Sequence, residues 1–370
     1  MDSPAARRAG NVLLIDLDAV VQNWRAVAAR VAPAECAAVV KADAYGLGAV
    51  PVAKALWRAG ARTFFVAELE AGVRLRAALP EARLVVLHGI PAGTEGDLAD
   101  NGLIPVANTL GDLERWRAKA AALGRPLPVI GHIDTGMNRI GLEAAELDRL
   151  AADPAGLLRG LTVQAWMSHL ACADHPDNPM TAAQLGRFRA ALARLPTAPA
   201  SLSNSAGIFH GRDYHFDLVR PGIALHGGNP TPWQDNPMRP VVRLLGRILQ
   251  VRHVDAPMTV GYDATHRVQG PGTVVGFSIG YADGYPWAAS GKGVARIEGY
   301  PAPVIGRVSM DLLTVDASAV PPEHLHEGGW VEVIGPWRSV DQVALEGGTI
   351  SYEVLTRLGS RYHRVYLGSQ

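Results

Sequence analysis

VVKADAYG (39–46) carries an apolar, β-branched run into a lysine and then turns through Ala-Asp-Ala-Tyr to a glycine. Read as the end of a first strand, this stretch decides between two fold classes. A doubly wound open sheet favours a glycine-rich G-x-G-x-x-G turn after its first strand, and none follows Val40. A closed barrel of alternating strands and helices instead collects reactive side chains at the C-terminal ends of its strands, where Lys41 stands. The lysine also has a plain reading, a strand-end side chain reaching out to water. Composition sharpens the question. Lysine occurs only at 41, 54, 119 and 292 among 35 basic residues, so arginine supplies most of the positive charge. Arginine cannot form a Schiff base, and lysine can.

The run CAAVV (36–40) is the first of a series: TFFVA (63–67), LVVLHG (84–89), LIPVA (103–107), LPVIGHID (127–134), LTVQAWMSH (161–169), SLSNS (201–205) and FDLVR (216–220) follow. Between them lie stretches with apolar residues at helical spacing, including 48–60, 110–124 and 181–195, the last with Thr181 as its cap. Another helical stretch, 17–31, precedes the first strand. Eight strands alternating with helices predict an α/β fold, an N-terminal TIM-like (β/α)8 barrel over residues 1–235. Beyond it the pattern changes. Segments 244–254, 272–284, 293–299, 302–316 and 330–335 read as strands between Gly/Pro turns, with helical periodicity nearly absent. Residues 236–370 are therefore predicted to form a mostly-β domain, entered through the linker GGNPTPWQDNPMRP (227–240).

The chain has 370 residues, 48% hydrophobic and 19% charged, with a formal net charge of +0, which describes a folded protein of two-domain size. No surplus of positive charge points to nucleic acid. The opening MDSPAARRAGNVLLIDLD (1–18) is read as neither a secretion signal nor a membrane span. Two widely spaced cysteines, Cys36 in an apolar strand and Cys172, make no disulfide framework, so a cytoplasmic setting is expected.

Polar residues interrupt the apolar runs on one rim of the predicted barrel. Lys41 ends the first strand, Arg139 follows the fifth, His169 ends the sixth, Asn204 and Ser205 end the seventh, and Arg220 ends the eighth, ahead of Pro221-Gly222-Ile223. Each has a structural alternative: Arg139 an ion pair with Asp134, His169 a satisfied core histidine, Ser205 a helix cap. Together they suggest chemistry. Barrels often bind phosphate beside their last two strands, through loop amides, and SNSAG with RPGI suits that task. A phosphate cradle and an amine on one rim fit pyridoxal 5'-phosphate (PLP). Sugar-phosphate aldolases also use a barrel lysine, but one late in the barrel.

The segments VVKADAYGLG, HIDTGMNRIG, MSHLACAD, SNSAG, RPGIAL, GYDATH, GYADGYP, IGRVSMDLLTVD and TISYEVLTRLGSRYHRVY occur in the order seen in alanine racemases, barrel-type PLP isomerases. The resemblance runs from IDLDAVVQNW to VY. It implies racemisation of L- and D-alanine in a cytoplasmic homodimer with shared active sites. Lys41 resembles the PLP-bearing lysine and one of two bases. Tyr45, Asn204, Ser205, Tyr352 and the amides of Gly222 and Ile223 resemble the groups around the phosphate. Arg220 resembles the arginine facing the pyridine nitrogen, with His169 behind it, and Arg139 the arginine near the cofactor's phenolic oxygen and the substrate carboxylate. Tyr262 matches the second base, delivered by the partner subunit; Tyr281, Met310 and Asp311 resemble other partner-donated residues on the substrate side. A lysine and a tyrosine on opposite faces of a planar centre meet the need for one base to remove a proton and an acid to return one. An arginine at the pyridine nitrogen cannot accept a proton, which weakens the electron sink and suppresses side reactions.

Three positions depart from the family pattern. His132 stands where relatives often carry a carbamylated lysine, so Arg139 needs an anion or hydrogen bonds instead. Trp287 replaces a common arginine at the entrance. GYDATH puts Gly261 and Asp263 beside Tyr262. A racemase of broader range and a barrel-type PLP decarboxylase are the nearest alternatives; the absence of any cysteine after Cys172 counts against the second. A single-barrel PLP carrier would not need the β domain. No metal is expected, His169, Asp174 and His175 being accounted for by the racemase motif.

Overall fold

The structure, a computed structural model, describes residues 8–368. Residues 1–7, part of the opening segment examined for a targeting signal, lie outside it. Seven strands, Ala38–Val39, Thr63–Val66, Arg83–Val86, Ile104–Ala107, Leu127–His132, Leu161–Met167 and Ala200–Ser201, lie side by side in chain order, every pair parallel. Leu218–Val219 closes the ring. It pairs with Glu35–Cys36, and the amides of Ala37 and Val39 donate to Val219 O and Pro221 O at 3.0 Å. On its other side Asp217 N and Arg220 N donate to Ala200 O and Ser203 O, again at 3.0 Å. Closure leaves no free edge for another chain to pair with.

Helices form where apolar periodicity and caps coincide. Leu17–Val31 starts at Asp16, whose carboxylate accepts from Ala19 N at 2.8 Å. Leu110–Leu123 has a Thr109/Asp112 capping box and stops at Gly124 in the left-handed region. One expected cap is overturned. The helix begins as Pro179–Leu192 with Asn178 as its cap, and Thr181 is buried inside it with its hydroxyl unpartnered among the described residues. Asn178-Pro179 is the stronger start, because proline at the first helical position needs no hydrogen bond.

The second domain is a sheet with a surprise in its membership. Val242–Val254, Gly272–Phe277, Val294–Ile297, Tyr300–Ile305, Leu313–Asp316 and Trp330–Ile334 are joined by Asn11–Asp16 and His363–Leu367 in an eight-stranded sheet. Asn11–Asp16 runs antiparallel to Val242–Val254 and parallel to His363–Leu367. These two segments, far apart in sequence, thus lie side by side in the sheet, the first of them immediately before the helix that enters the barrel. The segment 227–240 has no regular structure but is pinned by Asn23, which accepts from Arg239 N at 2.7 Å and donates to Arg239 O at 3.0 Å. Two short helices, Val340–Glu346 and Ser351–Thr356, escape the periodicity of the sequence. Among the described residues no helix is long and apolar enough to cross a membrane.

In the barrel wall Gly131 and Trp166 are register partners. A Cβ on Gly131 would lie 2.1 Å from the fully buried indole. Glycine-to-alanine in an open strand is favourable; against this ring it overpacks. Gly131→Ala should destabilise the protein by about 1–3 kcal/mol, read by urea unfolding. A variant as stable as the parent, or more so, contradicts this packing.

Candidate active site

Lys41 leaves its strand into a turn that no glycine opens. Ala42, Asp43, Ala44 and Tyr45 have φ of 51, 55, 52 and 57°, a left-handed turn that ends at Gly46 with φ 82°. Side chains in that conformation cost about 1–2 kcal/mol per residue, so the surroundings must hold it. Gly46 N and Gly48 N donate to Ala42 O and Asp43 O, both at 2.8 Å. Asp43 Oδ1 accepts from Ala49 N at 2.7 Å, at the start of the next helix. The second domain clamps the turn from outside: Arg364 donates to Gly46 O at 3.1 Å and to Leu358 O at 3.0 Å.

Tyr45 spans the closure of the barrel. A Cβ on Gly222 would meet its hydroxyl at 2.1 Å, so only glycine lets the phenol through. His226 packs on the ring, centroids 4.6 Å apart, and its Nε2 donates to Val39 O at 3.2 Å. The same helix turn that carries Tyr352 brings that ring to 6.0 Å from Tyr45.

These residues open on a cavity of about 420 Å³. Lys41, Tyr45, Arg139 and His169 line it, as do Asn204, Ser205, Arg220, Gly222 and Tyr352. Ile223 is wholly buried and does not line it. Its amide has no hydrogen-bond partner among the described residues, whereas the Gly222 amide donates to Ser205 Oγ at 2.8 Å and Ala224 N to the same oxygen at 3.3 Å. Ser205 therefore gathers the loop after the eighth strand rather than capping its own. Asn204 has the capping role, accepting from Gly207 N at 2.9 Å.

The cavity is electropositive. Arg220, 4% exposed, donates to Ser168 O at 2.6 Å, Leu202 O at 3.3 Å and Ser201 Oγ, and faces His169 Nδ1 at 3.4 Å. Every acceptor is neutral, and burial pushes this guanidinium down to about 10. Burial, then the Arg139 and Arg220 guanidiniums, lower the ammonium of Lys41 toward the free amine. His169 lies far below its ordinary range through burial and the Arg220 charge, so it is neutral and its Nδ1 accepts. Asp134 does not serve Arg139; its Oδ1 accepts from the amides of Gly136, Met137 and Asn138 at 2.7, 2.9 and 3.2 Å.

His132 is buried at the end of its strand with Nδ1 2.7 Å from Asn108 Oδ1. Asn108 donates through Nδ2 to Leu87 O and Val106 O at 3.1 and 3.3 Å. Its oxygen must then accept, Nδ1 of His132 must donate, and Nε2 is left as an acceptor. Asn108, Ser201 and His226 were not singled out from sequence. Asn108 does follow a strand end, the signal that identified its neighbours on the rim.

A buried amide without a partner, three cations with no carboxylate among the contacts of Arg220, and a lysine tending to the amine suit an anionic aldehyde such as PLP. Tyr262, Tyr281, Met310 and Asp311 do not line this cavity. They lie on the second domain, where Tyr262, Tyr281 and Met310 are 68, 44 and 53% exposed. Tyr281 N donates to Ser309 O at 3.1 Å, and Arg361 joins Asp283, at 2.7 Å, to Asp311, at 2.6 Å. Among the described residues no three His, Cys, Asp or Glu side chains are grouped to hold a metal ion.

Two family models match the chain: "Alanine racemase, N-terminal domain" over residues 15–230 and "Alanine racemase, C-terminal domain" over 241–366. The sequence is 50% identical over 363 residues to the alanine racemase of Rhodospirillum rubrum, covering 98% of this chain and 97% of that one. It is 46% identical to that of Brucella abortus, covering 97% and 94%. The solved alanine racemase of Bartonella henselae with covalently bound pyridoxal phosphate superposes with a TM-score of 0.92 at 41% identity, over 97% of this chain and 100% of that one. The biosynthetic alanine racemase of Pseudomonas aeruginosa does so with a TM-score of 0.89 at 36% identity, over 97% and 100%.

Burial pushes His132 and His226 each down to about 4, the Arg220 guanidinium adding to the effect on His132. The unfolded chain has them near about 6.5, so unfolding takes up protons between these values. Stability present above the unfolded value is lost as pH falls toward the folded one. Each histidine should remove about 1 kcal/mol between pH 6 and pH 5. Urea unfolding at the two pH values tests this against His226→Gln, in which the dependence should flatten by one proton's share; an unchanged slope contradicts it.

Proposed function

Because the chain belongs to the alanine racemase family, we infer that it interconverts L- and D-alanine with PLP, using a lysine and a tyrosine as two bases. The observation that carries this reading is Lys41, an amine favoured by burial and by two guanidiniums, on the rim of a cavity built for an anion. PLP, when bound, supplies an electron sink that acidifies the Cα–H of an amino acid joined to it. Lys41 provides the covalent anchor and moves a proton on one face. Arg139 holds the substrate carboxylate, as a guanidinium fork suits. Tyr45, Asn204, Ser205, Tyr352 and the loop at Gly222 and Ile223 hold the phosphate. Arg220, a donor only and backed by His169, would meet the pyridine nitrogen of bound PLP and keep the sink weak, so that the proton would be returned rather than lost to a side reaction.

The second base is Tyr262, supplied by another copy of the chain in a homodimer. Its ring is exposed and lies outside the cavity of its own subunit. A twofold, head-to-tail pairing would cover Tyr262, Tyr281 and Met310 and bring them with Asp311 to the partner's barrel mouth. In this division residues 1–235, joined by Tyr352, bind the cofactor, and the remainder of 236–370 completes the neighbouring site. Two free cysteines suit the cytoplasm.

Purified protein supplied with PLP should racemise alanine, and a parallel assay with serine, lysine and arginine defines its range. Lys41→Ala and Tyr262→Phe should each lose about 10²–10⁴-fold activity or more. Mixed in equal amounts and allowed to exchange subunits, the two variants should recover about a quarter of wild-type activity, since half the dimers then hold one intact site. No recovery, with exchange verified by a mass tag, contradicts the shared site.

A further inference from the structure

Tyr262 has little of its own chain to hold it. It stands at the tip of a hairpin, Met258–Val260 and His266–Val268, that forms a two-stranded sheet of its own. Val260, in the last pair before the turn, and Val268, at the base, pack against Val254, Val274 and Ile305. Beyond Val260 the turn residues 261–265 are exposed. The tip turns through Gly261, Asp263 and Ala264 at φ 78, 56 and 50°, and a positive φ at alanine needs an external restraint.

The restraint is an ion pair. The Asp263 carboxylate meets the Arg307 guanidinium, joining the tip to the loop between Tyr300–Ile305 and Leu313–Asp316. That loop also carries Met310 and Asp311. Backbones pack closely at the junction: a Cβ on Gly306 would lie 3.0 Å from Val260 O. The same guanidinium lies 5.7 Å from the centre of the Trp287 ring. Ser290 ties that ring's turn to the loop, accepting from Val308 N at 2.9 Å and donating to Trp287 O at 2.6 Å. One arginine therefore joins the three segments that bear Tyr262, Trp287 and Met310-Asp311.

We propose that Asp263 and Arg307 are positioning residues for Tyr262, their ion pair setting where the phenol stands for proton transfer. The proposal rests on the reading of Tyr262 as the second base. An exposed ion pair contributes little to global stability, so its removal leaves the fold intact. A misplaced acid or base slows only its own proton transfer, because rate falls steeply with misalignment. The transfer performed by Lys41 is untouched.

The test is Asp263→Asn, with Asp263→Glu as the charge-preserving control. In the PLP-loaded enzyme Asp263→Asn should lower kcat by about 10- to 100-fold, with the KM for alanine and the melting temperature little changed. Asp263→Glu should recover most of the rate. With Cα-deuterated alanine the primary isotope effect should rise in the direction in which Tyr262 removes the proton and fall in the other. Isotope effects that shift equally in both directions, or a kcat equal to wild type, overturn the proposal. Tyr262→Phe separates the two ideas. If it is fully active, the base assignment fails and the proposal with it; if it is inactive while Asp263→Asn behaves as wild type, only the proposal fails.

Discussion

Charge left without a counter-charge organises this protein. Lys41, Arg139 and Arg220 share one cavity, Arg220 is buried, and the groups it touches are neutral. Burying a cation without a carboxylate is unfavourable unless hydrogen bonds satisfy it, and Arg220 is held by carbonyls and a serine hydroxyl from the ends of the sixth and seventh strands. The rest of the rim follows. His169 and His132 stay neutral beside these guanidiniums. Lys41 is pushed toward the amine, the form that attacks a carbonyl. An anionic cofactor then enters a field already prepared for it.

The same cavity explains why the two domains are locked together. The lysine is followed by a left-handed turn of ordinary residues, a conformation that local sequence does not favour. It is held from within by Tyr45 against Gly222 and from outside by Arg364 on Gly46 O. Gly46 itself has no room for a side chain, since a Cβ would come 2.5 Å from Leu355 O. Leu355 and Tyr352 share the helix Ser351–Thr356. The second domain thus shapes the first turn of the barrel while adding one ring to the cavity. The face around Tyr262 and Met310, by contrast, is exposed and lies outside this cavity.

The long elements were legible because burial writes a period into the sequence. Leu17–Val31 and the strands through Leu161–Met167 show it plainly, and the rule that barrels carry chemistry at strand ends led to Lys41, His169 and Arg220. What stayed hidden was of two kinds. Short elements hold too few residues for a period: Ser351–Thr356 has only 6. Contacts between distant positions leave no local mark. Asp263 and Arg307 are 44 residues apart, and Asn11–Asp16 gives no sign that it pairs with His363–Leu367. The left-handed turn after Lys41 was hidden for a third reason. Ala-Asp-Ala-Tyr carries no glycine to announce positive φ, and tertiary packing overrides the preference of the chain.

The claim on which all of this rests is that Lys41, and no other lysine, is the amine that the cavity prepares. Protein purified with PLP can be reduced with borohydride, digested and mapped by mass spectrometry. The account predicts a visible absorption band that reduction abolishes, and a pyridoxyl group on Lys41. A label on Lys54, Lys119 or Lys292, or no bound chromophore after PLP is supplied, would contradict it.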